Sequence, residues 1–348
     1  MEVSYTSSLG HVTAVDWRRL AERAGHVFAT REWLLTWWRH YGNGHRQLTG
    51  LAHAGGDLVA IVPLYEWWGH GMPVLRFVGH GPSDQLGPIS APLSEPAAAA
   101  AVEEAIGAVP LPRFVLLAEH VAGDQQFGEV TGARSLYREA SPVLSLGHDS
   151  WDEFLTERGR NFRQQVRRFP RKLAELGRLS FRLASDPERL QLDLDTLFHL
   201  HRQRWGNVAT PFLLAEPFHR EFATQAFHEG WLRLWFLEID GKPVAALHGF
   251  RFAGAESAYQ AGRDPAFQRQ PLGFVLLAHA VREALTDGMG EYRLLRGGAA
   301  YKERFATSDP GLETFGLPRG APAQLMLAVA RAAGGRSLGL RRILDRRN

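Results

Sequence analysis

The stretch that decides the fold reads Asp264-Pro265-Ala266-Phe267-Gln268-Arg269-Gln270-Pro271-Leu272-Gly273-Phe274-Val275-Leu276-Leu277. It lies between Ser257 to Gly262, which reads as a strand, and an amphipathic run that ends near Gly288. A strand, a short polar loop with Gly and Pro, and a helix start together make a phosphate-binding arrangement. The first turn of a helix carries backbone N–H groups without intrahelical partners, and they point at whatever precedes it. The plain alternative is an ordinary strand-to-helix connection.

Working outward, 348 residues suggest about two domains. A chain of that size buries roughly three quarters of its unfolded surface, so it needs no staples. The composition, 45% hydrophobic and 22% charged, is that of a globular protein and argues against disorder. There is no cysteine. That excludes disulfides, thiolate metal sites and a cysteine nucleophile. Met1 to Gly10 has no basic flank followed by an apolar run, so no signal peptide is read. No run approaches the ~18 apolar residues of a membrane helix. A cytoplasmic location is the expectation.

Net charge is +3, but the cations cluster. Arg158, Arg160, Arg163, Arg167, Arg168, Arg171 and Lys172 form one group, and Arg331, Arg336, Arg341, Arg342, Arg346 and Arg347 form another. Either could meet phosphate, nucleic acid or a lipid surface; either could equally be a solvated helix face. The Gly334-Gly335 break argues against a continuous amphipathic anchor in the tail.

Residues 1–147 read as one α/β unit. Trp33 to Tyr41 is an aromatic helix. Leu48 to Ala54 and Leu58 to Tyr65 form a hairpin across Gly55-Gly56-Asp57. Val74 to Val78 is a strand, Pro96 to Ala108 a helix capped by Ser94, and Arg113 to Ala118 a buried strand. Residues 148–316 repeat the order. Trp151 to Leu176 is basic and helical, with Pro170 expected to kink or split it. Helices follow at Leu190 to Trp205 and Pro217 to Glu229. Then come a hairpin (Leu232 to Ile239, Val244 to Phe252), a strand, the opening loop, the helix Leu272 to Thr286 and the strand Tyr292 to Leu295. Both halves thus run hairpin, strand, helix, strand, without residue-level repetition. Residues 317–348 form a basic helical tail.

Several segments now fit one family in order: Arg160 to Gly177, Leu197 to Trp205, Gly241-Lys242-Pro243-Val244-Ala245-Ala246, Pro265 to Leu277, and Gly297 to Phe305 with Tyr301-Lys302. They resemble the acetyltransferases associated with bacterial cellulose biosynthesis. That group is a branch of the GNAT superfamily related to the Fem-type aminoacyl transferases of peptidoglycan synthesis. The resemblance implies an α/β protein of two tandem GNAT-like domains with mixed central sheets. It implies acyl transfer, with acetyl-CoA or another acyl-CoA as co-substrate and no metal. The acceptor would be an amine or hydroxyl, with a sugar or sugar nucleotide of polysaccharide or envelope biosynthesis as first choice. Gln268, Arg269, Gln270, Gly273 and Phe274 take the places of the diphosphate-binding loop. Two positions depart from the pattern. Pro271 stands where a glycine is usual and removes one donor. Arg293 stands where the family tends to have Asp.

Amide formation from a thioester requires loss of a proton from the acceptor, donors for the developing oxyanion, and departure of the thiolate. Lys302 is the first side-chain candidate, as a partner for a negative charge; its alternative is a surface lysine. Tyr301 and Tyr259 could protonate the thiolate, or simply pack. His248 could act as base; a satisfied core histidine is the competing reading. Arg204 beside Trp205 suits a sugar or carboxylate acceptor, and Asp84 could face the same cleft or cap a turn. His199 and His201, two apart on a helix, do not share a face, so no metal site is read. Two further readings stay open. One is a Fem-like transferase that takes its acyl group from charged tRNA, which the basic helix would bind. The other is a catalytically degenerate GNAT pair that acts as a scaffold.

Overall fold

The computed structural model describes residues 1–69, 72–90, 95–110, 112–123, 126–206 and 208–333. Ser94 and the arginines 336, 341, 342, 346 and 347 lie outside the described residues, as do Gly334-Gly335 and the side chain of Arg331. The chain divides into two compact units, 1–140 with 310–348, and 141–309.

The first unit holds β1 (Glu2–Thr6), β2 (Arg46–Ala54), β3 (Asp57–Gly69), β4 (Met72–Phe77), β5 (Ile89–Ser90), β6 (Phe114–Ala122) and β7 (Arg134–Glu139). The second holds β8 (Val143–Ser145), β9 (Leu179–Leu183), β10 (Leu232–Ile239), β11 (Lys242–Phe252), β12 (Ala255–Arg263) and β13 (Glu291–Arg293). The chain then returns to the first sheet as β14 (Leu312–Arg319), paired between β6 and β7. The boundary expected at 316 therefore falls inside a strand, and 317–319 are sheet rather than tail. The helix beyond, Ala321–Ala333, packs Ala323 and Leu327 on the same sheet as Val74, Val115 and Leu117. Local pattern cannot reveal such a return, because β14 finds its partners almost two hundred residues upstream.

Among the described residues the first sheet runs β1-β2-β3-β4-β6-β14-β7, with β5 on β3, and the second runs β8-β13-β12-β11-β10-β9. Both are mixed. Each contains one parallel pair, β4 with β6 and β12 with β13, and each pair is joined by a crossover helix, Glu95–Gly107 and Leu272–Thr286. The repeated order read from the sequence is this repeated crossover. Antiparallel neighbours need only tight turns, whereas a parallel pair requires a long connection.

The helix Leu272–Thr286 buries Leu272, Val275, Leu276, Leu277, Ala280, Val281 and Ala284 against β11, β12 and β13. Each large aliphatic side chain among them contributes about 1.5–3 kcal/mol of hydrophobic stabilisation. The expected break at Pro170 occurs elsewhere. Trp151–Thr156 and Arg160–Ala174 are separate helices parted at Gly159, and the second runs through Pro170. Proline there forfeits one backbone bond, while Phe162 and Leu173, buried on one face, hold the helix down.

Candidate active site

The site is built on β12 and its two flanks. β12 pairs with β13 over only three residues, Ala255↔Glu291, Glu256↔Tyr292 and Ser257↔Arg293. The chain leaves the sheet after Arg293, and the Leu294 amide donates to Pro142 O instead. Among the described residues, β12 from Ala258 to Arg263 therefore has β11 on one side and no strand on the other. The expected strand Tyr292 to Leu295 is shorter than read, and this shortening opens the edge. Within the free stretch the register steps from His248↔Gln260 to Gly249↔Ala258, so Tyr259 is the extra residue of a β-bulge. Gly249 is required there, since a Cβ would lie 2.0 Å from Ser257 O.

The connection to the helix follows at once. Asp264 Oδ1 accepts from the Ala266 amide. The amides of Gln268 and Gln270 donate to Pro265 O and Phe267 O. These two are therefore not available as backbone donors to a ligand, because the tight 3-10 turn Pro265–Phe267 uses them. Among the described residues, the amides of Arg269, Leu272, Gly273 and Phe274 have no protein partner. Pro271 provides no side-chain cap, and the first helix bond runs from the Val275 amide to Pro271 O. Gly273 is exposed, and a Cβ built on it would meet nothing within 4 Å. An anion thus has room to approach the backbone there. The Phe274 ring points the other way, into an aromatic cluster with Phe162 (5.6 Å), Phe169 (5.4 Å) and Phe305 (5.2 Å). Such aromatic pairs contribute about 0.5–1.5 kcal/mol each. They fasten the helix Arg160–Ala174 beside the amide-bearing turn. That helix carries no acid, and Arg160, Arg167, Arg168, Arg171 and Lys172 are exposed along it.

The opposite flank is the helix Leu190–Trp205, which lies hard against β12. A Cβ on Gly262 would stand 2.5 Å from the His201 amide nitrogen and 2.6 Å from Leu200 C. Two of its side chains reach Ala261 O, which His201 Nδ1 approaches at 3.2 Å and to which Arg204 Nη1 donates at 3.1 Å. His201 Nε2 lies 3.0 Å from Thr210 Oγ1. Arg204 also lies over the Trp205 ring, 5.1 Å from its centroid. Trp205 and Tyr301 are exposed, at 45% and 46%. Tyr301 is close enough to Arg204 for their charges to couple; burial outweighs that coupling and raises its hydroxyl above the usual range. Arg204, Trp205 and Tyr301 are therefore brought together at the free edge of β12.

The other expected side chains are placed elsewhere. Lys302 is buried, and its ammonium donates to Leu295 O (3.1 Å) and Arg296 O (2.7 Å). It staples a turn that contains Leu295 at φ 58° and Gly297 at φ 103°. His248 is buried on β11, beneath Phe212 and beside Phe250 and Tyr259, with neither ring nitrogen partnered. Burial pushes it down to about 3, so it is neutral at physiological pH and has no visible route to a substrate proton. Tyr259 is buried in the same cluster with Phe212 and His219. Asp84 belongs to the first unit, in the loop after β4. Arg293 pairs with Glu291. His201, expected only as a non-ligand, proves to be the anchor of the flanking helix; burial holds it down at about 4. The small Gly262 two residues before the loop was its signal. Among the described residues no group of His, Asp and Glu is arranged to hold a metal ion, and no helix is long and apolar enough to cross a membrane.

Residues 160–303 match the family model described as the acetyltransferase (GNAT) domain. No curated protein matches the chain. Three solved structures share the fold at low identity. A structure of FemX has a TM-score of 0.63 at 10% identity, covering 94% of this chain and 100% of its own. The C-terminal domain of a putative lysylphosphatidylglycerol synthetase from Agrobacterium fabrum has a TM-score of 0.57 at 11% identity, covering 92% and 94%. The structure of L-PGS from Bacillus licheniformis has a TM-score of 0.53 at 11% identity, covering 88% and 97%. The chain thus consists of two mixed α/β units and shares the fold of these structures, and its second unit contains the segment that matches the acetyltransferase (GNAT) domain.

Proposed function

We propose that the second unit transfers an acyl group, acetyl in the simplest case, from coenzyme A to an amine or hydroxyl acceptor by direct attack on the thioester. The observation that carries this reading is the set of unpartnered amides at Arg269, Leu272, Gly273 and Phe274, open on the Gly273 side and immediately beyond the strand edge. Amides so aimed, at the positive end of a helix dipole, suit a diphosphate. Arg269 is exposed beside them and adds a charge-assisted contact. The free half of β12, with its bulge at Tyr259, supplies backbone donors for the oxyanion that forms at the thioester carbonyl. Tyr301, exposed beside Arg204, is the side chain taken to pass a proton to the departing thiolate. Lys302 supports the site by fixing the turn that precedes the short helix Ala300–Glu303, on which Tyr301 sits. Following the family resemblance, a sugar or sugar nucleotide is the first acceptor to try. Calorimetry with acetyl-CoA is the test. A dissociation constant within the ~1 µM to ~1 mM span of ordinary enzyme substrates is expected, and no binding at millimolar ligand overturns the reading.

A second reading takes the acyl group from charged tRNA. The acid-free helix Arg160–Ala174 favours it, as does the likeness to FemX in a chain already read as resembling Fem-type transferases. It predicts tRNA binding that weakens steeply with salt. Binding that is absent or indifferent to salt removes it.

A further inference from the structure

We propose that the acceptor is recognised through an oxyanion, a carboxylate or a phosphate, held at the free edge of β12 by Arg204 with Arg263, against the ring of Trp205. The inference rests on the transferase reading and adds the chemical class of its acceptor.

Arg204 is exposed and spends one N–H on Ala261 O, which fixes the guanidinium at the strand edge. Its Cζ lies 5.1 Å from the Trp205 ring centroid, so one face of the guanidinium is occupied by an indole. Arg263 stands two residues beyond Ala261 and hence on the same face of β12. The two arginines are close enough for each to feel the other's charge, and Tyr301 adjoins them. No carboxylate pairs with Arg204 or Arg263 among the described residues. The nearest acid in sequence, Asp264, has its side chain turned to the Ala266 amide. Three other arginines of this unit are bound by acids. Arg182 is bound by Asp193 and Glu238, Arg220 by Glu216 and Asp195, and Arg251 by Glu256 and Asp287. Two adjacent like charges without a counter-ion repel each other and gain from a shared anion. A planar fork with a stacked ring matches a carboxylate or phosphate bidentately, a task that lysine performs poorly. The exposed Trp205 ring offers an apolar surface for the rest of the acceptor.

The experiment titrates two anions against neutral counterparts into the full chain by calorimetry. N-acetylphenylalanine is compared with N-acetylphenylalaninamide for the carboxylate arm, and O-phosphoethanolamine with ethanolamine for the phosphate arm. Acetyl-CoA is titrated separately. At least one anion is expected to bind about tenfold more tightly than its neutral partner, the difference one charge-assisted bond makes. Arg204→Gln removes that preference. Arg263→Gln reduces the preference in part. The arm that responds tells carboxylate from phosphate. If neither anion outbinds its neutral partner, or Arg204→Gln leaves the preference intact, the inference fails. Failure of the donor reading appears independently, in the acetyl-CoA titration.

Discussion

At the residue scale the decisive exchange concerns Lys302. The family resemblance marks it as a cation for substrate, but its ammonium is committed to two main-chain carbonyls in a buried turn. The turn needs it. Leu295 sits in the left-handed region at φ 58°, a conformation that costs a branched residue about 1–2 kcal/mol. Lys302→Met keeps the length and loses the donors. It leaves two carbonyls unsatisfied and is expected to lower the unfolding free energy by about 1.5–3 kcal/mol. Urea denaturation measures this, and a variant as stable as wild type assigns the lysine elsewhere. Tyr301→Phe retains the ring and removes only the hydroxyl. The expectation is unchanged stability with lower kcat and little change in KM. Side-chain chemistry was legible in the sequence as a set of residue types. Which cation faces solvent and which faces a carbonyl was not, because both roles use the same donors.

At the element scale two glycines carry the design, and they predict opposite outcomes. Gly262 exists so that the helix Leu190–Trp205 can approach β12 backbone to backbone. Gly262→Ala forces the helix outward, at a cost of about 1–3 kcal/mol in stability, and it drags Arg204 from Ala261 O. Gly273 has open space over it. Gly273→Leu is expected to fold with stability within about 1 kcal/mol of wild type, yet to cover the free amides and weaken acetyl-CoA by tenfold or more, on the order of one lost charge-assisted bond. Comparing urea midpoints with calorimetric affinities for the pair checks both. A Gly273→Leu protein that binds acetyl-CoA normally removes the loop from the donor site. Here the sequence was informative. Strand, loop and helix were read within a residue or two, since period and turn chemistry act locally. The occupied amides of Gln268 and Gln270 were not, because one 3-10 turn in the loop decides them. Pro271, read as a lost donor, proves also to leave the helix start without a side-chain cap, so the amides beyond it stay free.

At the scale of the whole molecule, the tandem crossover order could be read from the pattern, but the ownership of 310–319 could not. A strand is assigned to a sheet by partners far away in sequence, and β14 needs β6 and β7 to exist first. Burial of ionisable groups is likewise a property of the folded whole, and it sets the acid response. His248 is held at about 3, and His201 and His279 at about 4, each chiefly by burial. These are bases whose folded values lie below their unfolded value of about 6.5. Above pH 6.5 they are neutral in both states and cost nothing. As the pH falls from 6.5 toward 4, the unfolded chain takes up protons that the native chain refuses, so stability declines. Glu119, held low by His80 and Arg76 against its burial, adds a loss below its ordinary range, whereas Glu256, raised by burial, offsets part of it. For fully buried His248 the slope is about 1.4 kcal/mol per pH unit. His248→Leu isolates that share. Both ring nitrogens lack partners, so an apolar side chain of similar size loses no hydrogen bond. The variant is expected to match or exceed wild-type stability at pH 7 and to lose less between pH 6 and 4, by about 1.4 kcal/mol per unit. Urea midpoints across that range provide the measurement. A variant with the wild-type acid slope would show that His248 already exchanges its proton in the native state, and would return it to the list of candidate bases.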